Sequence, residues 1–150
     1  MSTATPGSFY EVNPATGAAT AVGAQGEEVT GLAGACSGTI FGLGAPGETG
    51  NDFVTIDTAT GAATVVGSLG TVSAAEGAID FAADATLWGI ESGGDVFTID
   101  PSTGAATVVG STVVGFTGLA ISPLSCPPPP PPPAPTPAAP SVVSAPTFTG

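Results

Sequence analysis

A chain of 150 residues with 12 Asp plus Glu and no Lys, Arg or His carries a formal charge of −12 at neutral pH. Without cations it cannot neutralise a phosphate backbone or an anionic bilayer surface, which removes nucleic acid and charged membranes from its partners. Without imidazole or amine it has no His-assisted nucleophile, His-ligated metal, Schiff base or P-loop lysine, and no cofactor is implied.

Residues 1–7 read as an N-terminal arm. They lack the basic start and apolar run of a signal peptide, so export would follow removal of a leader or another route. A β-repeat domain is expected over 8–122. It opens with Phe9-Tyr10-Glu11-Val12-Asn13-Pro14-Ala15-Thr16-Gly17-Ala18-Ala19-Thr20-Ala21-Val22-Gly23. The first arm alternates, with Tyr10 and Val12 on one face, as a half-buried strand does. The Asn-x-x-Thr-Gly run supplies turn chemistry: the Asn side chain bonds backbone two residues on, and Gly17 accepts positive φ. The small, β-branched second arm suits a strand packed between close sheets.

A second kind of hairpin follows. Its arms are Thr30-Gly31-Leu32-Ala33 and Gly38-Thr39-Ile40-Phe41-Gly42, with Cys36 between them. Glu27-Glu28, just before it, reads as a solvated loop. Both hairpins then recur. Copies of the first run from Phe53 to Gly67 and from Val96 to Gly110, with Asp57 and Gly61, then Asp100 and Gly104, at the turn. The turn glycines are therefore 44 and 43 residues apart. A copy of the second uses Glu76-Gly77-Ala78-Ile79 and Ala85-Thr86-Leu87-Trp88-Gly89. Its third copy has only a first arm, Thr117-Gly118-Leu119-Ala120-Ile121, before Pro123 breaks the pattern. This predicts eleven strands, one short of three sets of four.

Four strands per repeat of this length is the period of a propeller blade. The hairpin motif Ile99-Asp100-Pro101-Ser102-Thr103-Gly104-Ala105-Ala106-Thr107-Val108-Val109-Gly110 resembles bacterial secreted β-propeller repeats of the Asp-Pro-x-Thr-Gly-Ala-Ala-Thr type. The resemblance covers residues 8–122 and implies nothing about a ligand. It implies an all-β fold: β-propeller-like repeats of four antiparallel strands with a period of 43–44, about three blades. Members usually carry enough blades to close a ring, and this chain departs from that.

Next comes a Pro-rich linker, 123–140. Twelve of the 16 prolines lie at or after Pro123, and Pro127 to Pro133 is an unbroken run. From Pro127 to Pro140 a polyproline II rod would span roughly 43 Å at ~3.1 Å per residue. The tail, 141–150, is a candidate donor strand. Val142, Val143, Thr147, Phe148 and Thr149 supply its apolar and β-branched residues, and Thr147-Phe148-Thr149-Gly150 loosely matches Thr39-Ile40-Phe41-Gly42 and Thr86-Leu87-Trp88-Gly89. A stiff rod suits delivery of that strand to a neighbouring subunit, a β-strand addition between chains. The competing reading is a disordered stalk, with O-glycans on its Thr, Ser and Pro segments. No charged side chain follows Asp100, so the tail can meet an acidic body without like-charge repulsion.

The two cysteines, Cys36 and Cys126, favour one disulfide in an oxidising compartment. It would close a loop of about 90 residues, worth roughly 4 kcal/mol in the chain-entropy account; the same pair could instead join two subunits. No uninterrupted apolar stretch is long enough to cross a membrane. Among the carboxylates, Asp52/Asp57, Asp80/Asp84 and Asp95/Asp100 are the closest pairs. A glycosidase would need two of them facing one sugar and calcium would need oxygen ligands at Asp52 or Asp95, but Asp57 and Asp100 stand where Asn13 does and read as turn caps. Tyr10, Phe41 and Trp88 share register positions and read as core.

Side-chain nitrogen occurs only at Asn13, Gln25, Asn51 and Trp88, and trypsin would find no cleavage site. Together these features predict a non-enzymatic extracellular or cell-surface structural protein that partners with itself in a filament or sheath. The alternative is a glycan- or surface-binding propeller module, either a closed dimer or a fragment of a longer propeller.

Overall fold

The computed structural model describes residues 7–44, 51–74, 76–113, 115–116, 118–121 and 126. It is all-β, with no helix among the described residues. The strands are β1 (Ser8–Val12), β2 (Ala19–Ala24), β3 (Val29–Gly34), β4 (Ile40–Gly44), β5 (Asp52–Ile56), β6 (Ala63–Ser68), β7 (Ala78–Phe81), β8 (Leu87–Ile90), β9 (Asp95–Ile99) and β10 (Ala106–Ser111). They form three antiparallel sheets: β1-β2, β3-β4-β5-β6 and β7-β8-β9-β10.

The first hairpin motif folds the same way three times. Val12 pairs with Ala19, Ile56 with Ala63 and Ile99 with Ala106. Each hairpin then slips by one residue at the same place, leaving Val22, Val66 or Val109 as the extra residue of a bulge. A bulge bends its strand and increases the local twist, and all three hairpins carry it at the same repeat position. The predicted turn glycines are where positive φ is needed: Gly17 at 71°, Gly61 at 78° and Gly104 at 78°.

The second hairpin motif forms its two ladders, β3-β4 and β7-β8, with the second strand of each starting later than the sequence suggests. Gly38 has φ 88° and Ala85 has φ 64°, so both belong to the turn. In each turn the amide three residues on donates back to Ala35 or Ala82, at 2.9 Å. The eleventh strand is corrected: the described part of its arm, 118–121, joins no ladder. It is tied instead by the Ile121 amide, which donates to Asp80 Oδ2 at 2.8 Å.

Between the two larger sheets lies the core, built from Leu43 and Phe53 of one and Ile79, Phe81, Leu87, Phe97 and Ile99 of the other. Phe41 packs against it, its ring stacked on Phe53 with centroids 5.2 Å apart and tilted to Phe81 at 6.0 Å; such aromatic pairs add to simple burial. The connection between β6 and β7 also contributes, since Leu69, Val72 and Ala74 are buried in the same cluster. Asn51 holds that connection. Its carbonyl accepts from the Leu69 amide at 2.7 Å and its Oδ1 from the Ala74 amide at 3.2 Å. The Thr30 hydroxyl donates to the Ala74 carbonyl at 2.6 Å.

Candidate functional site

Sheet β1-β2 is the site of interest because it is half of what its sequence builds elsewhere. In the larger sheets the first strand of this hairpin has a second neighbour: β5 pairs with β4, and β9 with β8. Among the described residues, β1 pairs with β2 alone. With respect to the described residues, its outer edge has no partner strand, and such an edge is a template for another strand.

Side chains on β1 show the same deficit. Val54 and Phe97 are 0 % exposed, but Tyr10 in the same repeat position is 53 % exposed. Ile56 and Ile99 are buried at 5 % and 4 %, whereas Val12 is 58 % exposed. The core role expected of Tyr10 is thus corrected. Its two counterparts are covered by partner strands, and no described strand covers Tyr10. Phe41 and Trp88 are half-buried, with Phe41 packed on the core. An open cleft of about 420 Å³ lies along β1, lined by Phe9, Tyr10, Glu11, Val22, Ile40 and Thr58. Its lining is mainly apolar, with one carboxylate.

The predicted turn residues are at the hairpin tips. Asn13 Oδ1 accepts from the Ala15 amide at 2.9 Å, Asp57 Oδ1 from Ala59 at 2.8 Å and Asp100 Oδ1 from Ser102 at 2.8 Å. In each the amide of Gly17, Gly61 or Gly104 closes the turn on the carbonyl of that same Asn or Asp, at 2.7–2.8 Å. Donated amides at Ala59 and Thr60 hold the Asp57 carboxyl below its usual range. The Ser102 hydroxyl and amide do the same for Asp100, and the Thr86 amide for Asp84. These carboxylates are ionised caps, each satisfied within its own turn.

Asp80 is occupied by the Ile121 amide and by the Phe81 amide, which donates to Oδ1 at 2.9 Å. No group of three or more acidic or cysteine side chains converges on one point among the described residues. Glu27 differs from the solvated residue expected of it. One of its oxygens, Oε2, is buried with no hydrogen-bond partner. Burial and the nearby Asp52 carboxylate raise its pKa above the ordinary value. The sequence offered no signal for this, because the desolvation comes from chain brought over Glu27 by the fold.

Cys36 and Cys126 form a disulfide across a sequence separation of 90, with Cα atoms 5.2 Å apart. It anchors Cys126 to the turn between β3 and β4. Such a bond is compatible with an oxidising extracellular setting. No helix among the described residues is long and apolar enough to cross a membrane. The donor-tail residues Val142, Val143, Thr147, Phe148 and Thr149 lie outside the described residues. The chain matches no protein-family model and no curated protein.

Proposed function

We propose that the chain is a non-enzymatic extracellular structural protein, the subunit of a self-assembling filament or sheath. Its three sheets act as β-propeller-like blades, of the secreted bacterial kind that the hairpin motif resembles. The observation that carries this reading is the unmatched edge of β1. A sequence that elsewhere builds four-stranded sheets here has two strands among the described residues, with Tyr10 and Val12 exposed.

The tail of a neighbouring subunit fits this edge by sequence register. Ile40 faces Ile56 and Gly42 faces Val54 in one sheet; Leu87 faces Ile99 and Gly89 faces Phe97 in the other. By the same alignment Phe148 faces Val12 and Gly150 faces Tyr10. The glycine matters, since a Cβ on Gly89 would overlap the Phe97 ring, and Gly150 leaves the same room over Tyr10. Pro146 falls where Gly38 and Ala85 take positive φ, which the proline ring forbids. The donor strand is thus not entered from a tight hairpin, in keeping with delivery on a Pro-rich rod. Head-to-tail donation is heterologous and grows an open filament when it does not close into a ring.

Negative-stain microscopy of the full chain tests this. Filaments or sheets are expected, and they are expected to vanish on deletion of residues 127–150. Uniform single subunits, unchanged by that deletion, would overturn the reading. A discrete dimer by light scattering would favour the alternative, a closed ring whose aromatic cleft at Phe9 and Tyr10 binds a glycan or surface.

A further inference from the structure

Each sheet sits on the next through a pair of glycines. Gly23 and Gly67 follow the bulge residue in β2 and β6. A Cβ on Gly23 would overlap the carbonyl oxygen of Thr60, and one on Gly67 would overlap that of Thr103. The turn glycines return the contact. A Cβ on Gly61 would stand 2.9 Å from the Gly23 oxygen, and one on Gly104 would stand 3.0 Å from the Gly67 carbonyl carbon. The tip of one hairpin is therefore seated on the bulge glycine of the hairpin before it, and this happens twice in the chain.

The series leaves two ends. Gly17, the tip of the first hairpin, has nothing within 4 Å of where its Cβ would be, and neither does Gly110, the bulge glycine of the third. Among the described residues, one end is a tip without a seat and the other a seat without a tip. Beside Gly110, Val109 is 54 % exposed, while its counterpart Val66 is packed against the core. The charges agree with the geometry. The seated tips carry Asp57 and Asp100, but the free tip carries neutral Asn13, which makes the same cap. The free seat lies in a stretch with no charged side chain after Asp100.

We infer that these ends mate between copies: the tip 13–17 of one copy seats on Gly110 and Val109 of the next, continuing the internal contact across the subunit boundary. This rests on the self-assembly proposed above and assigns it a surface. The contact is heterologous, so it extends in one direction and gives the assembly polarity. Neutral Asn13 removes a carboxylate that would otherwise approach another acidic subunit, a device for permitting one contact among repelling surfaces.

Sedimentation velocity on the full chain, over a range of concentrations, tests this with two variants. Gly110→Ala adds one methyl group where the free chain has open space. Gly110→Phe blocks the seat. Both are expected to melt like the wild type. Association is expected to weaken about tenfold for Gly110→Ala and roughly 30-fold or more for Gly110→Phe, the scale of a central interface residue. Unchanged association of both folded variants would overturn this interface. If deletion of 127–150 still abolishes assembly in that case, the assembly reading stands while the interface falls. A wild-type chain that stays monomeric at every concentration would overturn both.

Discussion

Hairpins β1-β2 and β5-β6 share a turn, a register and a bulge, yet strand β5 is largely buried and strand β1 largely exposed. The difference separates what a hairpin encodes for itself from what it receives. Turn geometry and pairing come from residues within about 15 positions of each other, so they repeat wherever the motif repeats. Burial comes from a neighbour: β5 has β4 along its edge and Phe53 in the core shared with the third sheet, whereas among the described residues β1 has no strand along its outer edge. Identical local chemistry thus gives a core strand in one place and a surface in another.

The sharpest way to break that comparison is to remove an equivalent side chain from each region. Phe97→Ala is expected to lower stability by about 4 kcal/mol, the cost of emptying a fully buried aromatic site. Tyr10→Ala, in the same repeat position, is expected to cost under about 0.5 kcal/mol in the isolated subunit, measured by urea denaturation. If Tyr10→Ala costs as much as Phe97→Ala, the edge of β1 is already covered within the chain.

A second contrast concerns the seats between sheets. Gly67→Ala forces a methyl group into the Thr103 carbonyl, and a loss of about 1–3 kcal/mol is expected from overpacking. Gly110→Ala meets open space and is expected to leave the melting temperature unchanged. Equal losses would show that the two glycines serve a common local role rather than a contact.

Charge gives two smaller tests. Glu27 is held above its ordinary pKa by burial and by Asp52, so the folded chain binds its proton more tightly than the unfolded one. Its ionisation then opposes folding above the folded pKa, and stability from this group rises as pH falls through that value. Glu27→Gln is expected to stabilise at neutral pH by at most about 0.5 kcal/mol, solvent screening considered. The turn caps behave in the opposite sense. Asp57 and Asp100 titrate below their usual range, so their contribution is complete above the unfolded pKa and is lost as pH falls through the folded one. Asn13 does not titrate. Amide exchange at Ala59 and Ser102 is expected to quicken in acid relative to Ala15; parallel behaviour in all three would break the assignment of the caps.

The legible parts of the fold were the local ones. Hairpins, turn residues at Asn13, Asp57 and Asp100, and the Cys36–Cys126 pair all follow from short motifs or from counting. What escaped depends on distant chain. The β6-β7 connection, with Leu69, Val72 and Ala74 in the core, has no strand periodicity to mark it. Residues 118–121 look like a strand by repetition, but their described backbone is held by Asp80 rather than by a ladder. Ala85 occupies a positive-φ turn position that Gly38 fills in the other copy, so propensity alone placed the strand start too early. Tyr10 was misread for a related reason: repetition predicts the environment of a residue only where the neighbouring repeat is also present.

The disulfide has a mechanical consequence. Cys126 is the last residue before the proline run, and its bond reaches Cys36, in the turn between β3 and β4. Tension applied at Cys126 therefore enters the fold at that turn rather than running back along the chain through residues 118–121. The load falls on the β3-β4 ladder of a four-stranded sheet, rather than peeling an arm from the surface. Without that bond the same pull would run back along the chain towards residues 118–121, where the Ile121 amide is held by Asp80, so the bond sets which part of the molecule bears the load.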